Sequence, residues 1–433
     1  CQEKINQLKR QGKLLCYHPK KIVHQSSQSL PYHLDNEIRS ITLQLTQQCN
    51  FRCAYCIYSE HSSEKQRTHS TKEMTCETAY HAVDFLFEHS RDISHVNIGF
   101  YGGEPLLKFD LIKNIIEYVE KEYYGKSVTY NITTNGSLIN KEIIEYFIQH
   151  NVDIMISFDG PKETHDKYRH FAKNGKGTFD VVLSKILFIR EEYPDFYKRI
   201  RFSAVIDPQS NLEEINTFFK NYQDSSGIVP NISILSDSYT SEKRYYTSEY
   251  IHTENNERIK VLLSCLGYTQ EKYSSPVVNS FLIELTKLED HLNGNYGFNI
   301  QTAPGGPCIP GTLRLFVDVD GNFFPCEHVS EKSFVMNIGD LSEGFDLLKV
   351  ENLLNIAQLT EHSCRNCWAY HHCYQCAKFC DNIDTFSKEL RRKECISVRR
   401  ILENKLRYYI MINEIMERKN EQLTQKESYS LSI

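Results

Sequence analysis

The chain has 433 residues, enough for two or three domains with a sizeable core. Its net charge of −6 comes from acidic and basic residues mixed along the sequence, which excludes a broad polycationic surface and with it a nucleic-acid partner. No apolar run is long enough to cross a bilayer and no secretory signal opens the chain, so a membrane partner is not expected either.

The chain opens on Cys1 rather than methionine, so the numbering is expected to start inside a longer product. Residues 1–39 form an N-terminal segment whose first fifteen residues read as a basic amphipathic helix. From 40 to 236, apolar runs of strand length (41–45, 96–101, 128–133, 153–158, 201–206 and 232–235) alternate with amphipathic stretches (72–91, 109–124, 141–150, 179–192 and 212–223). Six β units separated by five helices predict an α/β fold of parallel βα repeats with right-handed crossovers. Periodicity alone does not choose between a barrel and a doubly wound sheet. Residues 237–300 are polar and tyrosine-rich, with helical patterns at 245–268 and 278–292, and read as a linker or insert. Residues 301–400 form a cysteine-rich unit, in which 313–319 and the turn at Asp320-Gly321 predict a β-hairpin. Residues 401–433 close the chain, with a long charged helix predicted over 396–422 and a loose tail over 423–433.

The chemistry lies in the cysteines. There are fifteen, and eleven of them fall into two groups, at 49–56 and 308–395. Grouped thiols without a secretion signal read as metal ligands in a reducing compartment, the cytoplasm. The first group is Cys49-x3-Cys53-x2-Cys56, directly after the first predicted strand. Three thiolates can hold three irons of a 4Fe–4S cluster and leave the fourth open for chemistry. Zinc, which takes four ligands commonly from paired C-x2-C motifs, fits this spacing poorly. Beyond the second strand comes Tyr101-Gly102-Gly103-Glu104-Pro105, beyond the third Thr134-Asn135-Gly136, and at the fourth Ser157-Phe158-Asp159-Gly160. All sit at carboxyl ends of strands, where barrel-type folds bind ligands. Gly102 and Gly103 are expected to let backbone approach a ligand, and Glu104 to accept a hydrogen bond from an ammonium group at that rim.

In this order, behind that cysteine loop, the segment resembles the partial (β/α)6 TIM barrel of the radical S-adenosylmethionine (radical SAM) superfamily. The resemblance implies that Cys49, Cys53 and Cys56 hold a 4Fe–4S cluster whose open iron chelates S-adenosylmethionine (SAM). One electron then cleaves SAM to a 5′-deoxyadenosyl radical. It places Tyr55 near the adenine, Glu104 with its glycines at the amino group, Ser157 and Asp159 near the ribose, and Arg169 at the SAM carboxylate, and it counts Asn135 among the cofactor-binding residues. For Arg169 a solvated charge at a helix end is the alternative.

The second group is Cys308-x12-Gly321-x4-Cys326 followed by Cys364-x2-Cys367-x5-Cys373-x2-Cys376-x3-Cys380 and then Cys395. Eight thiols are the number two fully ligated 4Fe–4S clusters need. The arrangement resembles the SPASM domain, the auxiliary-cluster module of many radical SAM peptide modifiers, whose usual run is C-x2-C-x5-C-x3-C. The resemblance implies one cluster on Cys308 and Cys326 with Cys376 or Cys380, and another on Cys364, Cys367, Cys373 and Cys395. Because the cysteine after Cys373 stands at x2 rather than x3, the choice between Cys376 and Cys380 stays open. Paired C-x2-C spacing leaves zinc as the alternative for this group.

A radical SAM site with two auxiliary clusters, three 4Fe–4S clusters in all, suits net two-electron oxidation of a substrate. The chain most resembles enzymes that install cysteine thioether cross-links in ribosomally made peptides. That resemblance implies a precursor peptide with a leader sequence and a one-electron reductant such as ferredoxin or flavodoxin as partners. The helix at 1–15 then reads as the tail of a leader-recognition domain or as a packing helix. Anaerobic sulfatase maturases, which make formylglycine, are also similar, and another peptide modification such as a carbon–carbon cross-link is a further option. In sulfatase maturases an aspartate after the second SPASM cysteine acts as base; here that place holds Glu327.

Overall fold

The computed structural model describes residues 19–59, 65–235, 245–269, 272–293, 301–304 and 308–430, so the predicted helix at 1–15 lies outside the described residues. Twelve strands are found among them. β1 (Lys21–Ile22) pairs in parallel with β8 (Gln301–Thr302). β2 (Ser40–Gln44), β3 (His95–Tyr101), β4 (Ser127–Thr134), β5 (Val152–Ser157), β6 (Arg201–Ile206) and β7 (Asn231–Ile234) form a parallel run in chain order. They coincide with the six predicted strands to within a residue or two, and a helix follows each of the first five. The barrel is open: no pairing of β7 with β2 closes it among the described residues.

Local sequence explains the crossovers. Thr75, Asn140 and Asn211 each accept a backbone N–H from the first turn of the helices Cys76–Glu88, Lys141–Gln149 and Leu212–Ser226. Gly227, at φ 73°, ends the last of these in the left-handed conformation that a side chain would oppose. The inward faces of the strands and the apolar faces of the helices meet in one core. At its centre Phe158, fully buried, has the rings of Phe179, Phe202, Phe218 and Tyr222 around it.

The cysteine-rich region is not a detached module. β9 (Leu315–Val317) pairs in parallel with β2, and β10 (Asn322–Phe324), β11 (Gly339–Asp340) and β12 (Gly344–Phe345) continue antiparallel from it. One ten-stranded sheet therefore runs from β12 to β7. The hairpin expected around Asp320-Gly321 is the β9–β10 pair, with Gly321 at φ 88°. The insert helices Ser248–Cys265 and Ser280–Asn293 pack on the C-terminal helix through Val261, Leu262, Phe281 and Leu285, against Tyr408 and Ile412. That C-terminal helix runs from Lys388 to Ser430, which overturns the expected loose tail from 423. Residues 423–430 contain neither glycine nor proline, so nothing in them stops the helix.

Phe158→Ala removes a whole ring from a packed centre that cannot collapse around the gap. It is expected to cost about 3–5 kcal/mol, read as a lower Tm and denaturation midpoint. An unchanged midpoint contradicts this placement of the core.

Candidate active site

The loop 45–56 carries no helix or strand, so its backbone groups need partners from elsewhere. Two segments supply them. On one side Gly103 N–H donates to Thr46 O and Glu104 N–H to Gln48 O, both at 2.8 Å. On the other, Arg52 N–H donates to His170 O, Ala54 N–H to Tyr168 O and Ala172 N–H to Asn50 O. The two glycines have a role within the protein itself. What they admit is the cysteine loop's own backbone: a Cβ at Gly102 would stand 2.4 Å from Thr46 O, and one at Gly103 2.0 Å from Gln48 O.

Glu104 is buried beside them. Only 1% exposed, it accepts hydrogen bonds at Oε1 from Thr134 Oγ1 (2.6 Å) and Leu106 N–H, and at Oε2 from Asn135 N–H (2.7 Å). It thereby ties the loop after β3 to the end of β4. Burial pushes its pKa up to about 7, against the pull of those three donors. Asn135 turns its amide to Asn50 Oδ1 at 2.7 Å and lies 3.9 Å from Cys49 Sγ, so it too holds the cysteine loop.

Opposite lies a charged clamp. Arg169 donates from Nε and Nη2 to the two oxygens of Asp159 at 2.7 and 2.9 Å, with both side chains buried. Tyr55 OH donates to the same carboxylate at 2.5 Å, under a guanidinium 5.3 Å from its ring. Burial is the largest single effect and opposes the Asp159 charge, but Arg169, with His165 and Tyr55, outweighs it and holds the carboxyl below its usual range. Arg169 is thus no solvated helix-end charge: its fork is engaged by Asp159, and it hydrogen-bonds Cys53. Ser157 ends β5 half-buried, in register with Ser203. Burial raises the pKa of all three loop thiols, that of Cys53 to about 12.

Beyond Cys56 the barrel interior holds residues that sequence motifs did not single out. Glu331 accepts from Arg67 Nε, Gln44 Nε2 (2.6 Å) and Gln47 Nε2, while Arg67 lies 3.8 Å over the Tyr58 ring. Tyr101, at the end of β3, is surrounded by Cys56, Glu327 and Glu331. Its place directly before Gly102 was the available signal. Arg67 and Glu331 stand 264 residues apart, and nothing local pairs them. Glu327 accepts from Arg314 Nη1 at 2.6 Å through Oε1, while its Oε2 is buried without a hydrogen-bond partner among the described residues.

The second cysteine group divides in two. Cys364, Cys367, Cys373 and Cys395 line one cavity of about 300 Å³ together with Tyr370, Gln375, Arg392 and Arg399. In the other set, burial is the main cause of raised thiol pKa in Cys308, Cys326 (about 12) and Cys380 (about 11), and Cys376 adds to it in all three. Cys376 is therefore the thiol these neighbours share. Cys380 is fully buried in the main core and donates from Sγ to Ala377 O at 3.0 Å. Among the described residues no three His, Cys, Asp or Glu side chains converge on a point as a single metal ion requires.

A carboxyl with a folded pKa near 7 and an unfolded value of 4.5 favours the folded state below the lower value and loses that advantage as pH rises through the higher. Iron-free protein is expected to lose Tm relative to the non-titrating Glu104→Gln variant between about pH 5 and about pH 8. Parallel pH profiles for the two proteins contradict the buried carboxyl. Gly103→Ala, whose added Cβ meets backbone, is expected to displace Cys49 and lower iron uptake on reconstitution; full uptake contradicts the tight approach.

Residues 43–220 match the model of the radical SAM superfamily. The chain is 25% identical over 354 residues to the radical SAM cyclopropyl synthase TigE of Paramaledivibacter caminithermalis, covering 78% of this chain and 67% of that protein. It is 24% identical over 344 residues to a cysteine-type anaerobic sulfatase-maturating enzyme of Clostridium novyi, covering 75% and 83%. In fold it is similar to the solved structure of native anSMEcpe with bound AdoMet, at TM-score 0.63 and 19% identity over 86% of this chain and 98% of that one. The same enzyme with bound AdoMet and Cp18Cys peptide gives TM-score 0.61. With its cysteine loop at the carboxyl edge of an open parallel barrel, the segment 43–220 is a radical SAM domain.

Proposed function

We propose that the chain is a radical SAM enzyme that oxidises a peptide, joining a cysteine sulfur to a carbon of the same ribosomally made precursor. The observation that carries this reading is the joining of the three-cysteine loop and the second cysteine group by one sheet, through the β2–β9 pair. Cys49, Cys53 and Cys56 would hold the SAM-binding cluster. Cys364, Cys367, Cys373 and Cys395 would hold one auxiliary cluster, and Cys308, Cys326 and Cys376 the other. A cavity of about 300 Å³ among four thiols suits a cluster better than a point ion such as zinc. When bound, SAM and its cluster supply hydrogen-atom abstraction from carbon.

The chain's own residues position and exclude. Glu104 Oε2, with one lone pair left by Asn135, can take an ammonium donor. The Asp159–Arg169 pair fixes Tyr55 and the second cysteine of the loop. Glu327 Oε2, buried and without a hydrogen-bond partner among the described residues, can accept a proton from a substrate thiol while Arg314 holds Oε1.

Formylglycine formation is the second reading. It is favoured by similarity along 83% of a sulfatase-maturating enzyme and by the carboxylate at Glu327. Both readings use the same site and differ in substrate.

Anaerobic reconstitution is expected to give about twelve irons per chain, falling by about four when Cys49, Cys53 and Cys56 become alanine. Stoichiometric zinc on the second group contradicts the auxiliary clusters. With reductant, SAM and a cysteine-bearing precursor, tandem mass spectrometry is expected to show a product lighter by two hydrogens per cross-link and resistant to thiol alkylation. Formylglycine on a sulfatase peptide, without cross-linking of precursors, selects the second reading. Glu327→Gln is expected to lower product formation by about 10²–10⁴-fold with SAM binding unchanged.

A further inference from the structure

The four-thiol cavity is framed by the C-terminal helix, and its rim is basic. Arg392 and Arg399 stand three residues before and four after Cys395, on the helix face that carries this thiol, and both line the cavity. Arg399 Nε also donates to Cys395 O at 3.0 Å. Lys393 and Arg400, one residue further round, are exposed. Glu394 between them is half-buried and lies by Lys378. Residues 361–400 carry eight Lys and Arg against five Asp and Glu, in a chain whose net charge is −6. Next in the chain to the cavity's cysteines stand two exposed large rings: Trp368, after Cys367, is 56% exposed, and Tyr374, after Cys373, is 45% exposed, with Lys405, Glu394 and Glu284 about it.

Exposed aromatic area inside a cationic rim has the composition of a protein-docking patch, and its charge sets the partner's sign. We propose that this surface docks an acidic one-electron carrier protein, seating it over the auxiliary site rather than over the barrel mouth. The choice of carrier rests on the cluster reading above; the basic, ring-bearing patch is independent of it. A cavity reached from the surface at this rim leaves little protein between a docked carrier and the four thiols. Interactions of this kind steer encounter and weaken with salt.

The test uses the reconstituted full chain and an acidic plant-type ferredoxin as the probe. Binding is followed by titration at low and high salt, and the contact is mapped by carboxyl-to-lysine cross-linking. The expected result is salt-sensitive binding, a cross-link at Lys393, and a loss of affinity on the order of tenfold in Lys393→Glu/Arg400→Glu. Neither residue lines the cavity, so iron content is expected to stay at the wild-type level. Unchanged affinity in that variant, or cross-links confined to the barrel mouth, overturns the proposal. Iron content of the same preparations judges the cluster reading separately: normal iron with absent binding rejects only the docking surface. Binding with no iron on the second cysteine group rejects the cluster reading and leaves the patch standing.

Discussion

A loop with three thiols and no regular structure has to be held in place by hydrogen bonds from its surroundings, and the rest of the site depends on how that is done. A buried backbone group without a partner costs about 1–3 kcal/mol, so the twelve irregular residues 45–56 at a barrel rim are affordable only if other segments complete them. Gly103 and Glu104 do so from the end of β3, and the stretch 168–172 from the far side. The glycines follow from this: a side chain at either would drive into the loop's carbonyls. Motif residues that read as ligand contacts are thus first of all contacts to the loop.

The same economy governs the buried charges. An isolated ion in the interior is costly, and around the first cysteine group most buried charges have a partner of opposite sign. Asp159 and Arg169 form a two-pronged pair at the first cysteine group, and Arg67 and Glu331 pair in the barrel interior. Glu104 is the exception, because its donors are neutral. Burial raises its pKa, and the three neutral donors offset that only in part. Glu327 stands between these cases, one oxygen paired with Arg314 and the other left over.

Continuity of the sheet joins the two cysteine groups. Because β9 adds to β2, the hairpin that carries Cys326 and Glu327 is fixed relative to the loop that carries Cys49. Three long-range contacts to Glu331, from Gln44, Gln47 and Arg67, then lock the barrel interior to the segment beyond β10. A site built this way has rigid walls on both sides, which suits chemistry that must keep a reactive species away from water.

Much of this was legible in the sequence. Six apolar runs alternating with amphipathic ones determine the parallel sheet, because strand and helix periods depend on neighbours in the chain. Cysteine spacing marks the two groups, because thiols a few residues apart stay close along the chain. That Cys364, Cys367, Cys373 and Cys395 line one cavity is the fold's doing, and x2 and x3 spacing after Cys373 did not choose between Cys376 and Cys380. Only the tertiary structure decided what depends on distant partners: that Gly102 and Gly103 meet the cysteine loop, that Arg169 is held by Asp159, that β9 extends the barrel's sheet, and that Arg67 finds Glu331 across 264 residues. Such pairs carry no mark in either local stretch, since each residue alone is an ordinary polar side chain. Their meaning comes from burial, which makes a partner obligatory and which only the folded chain supplies.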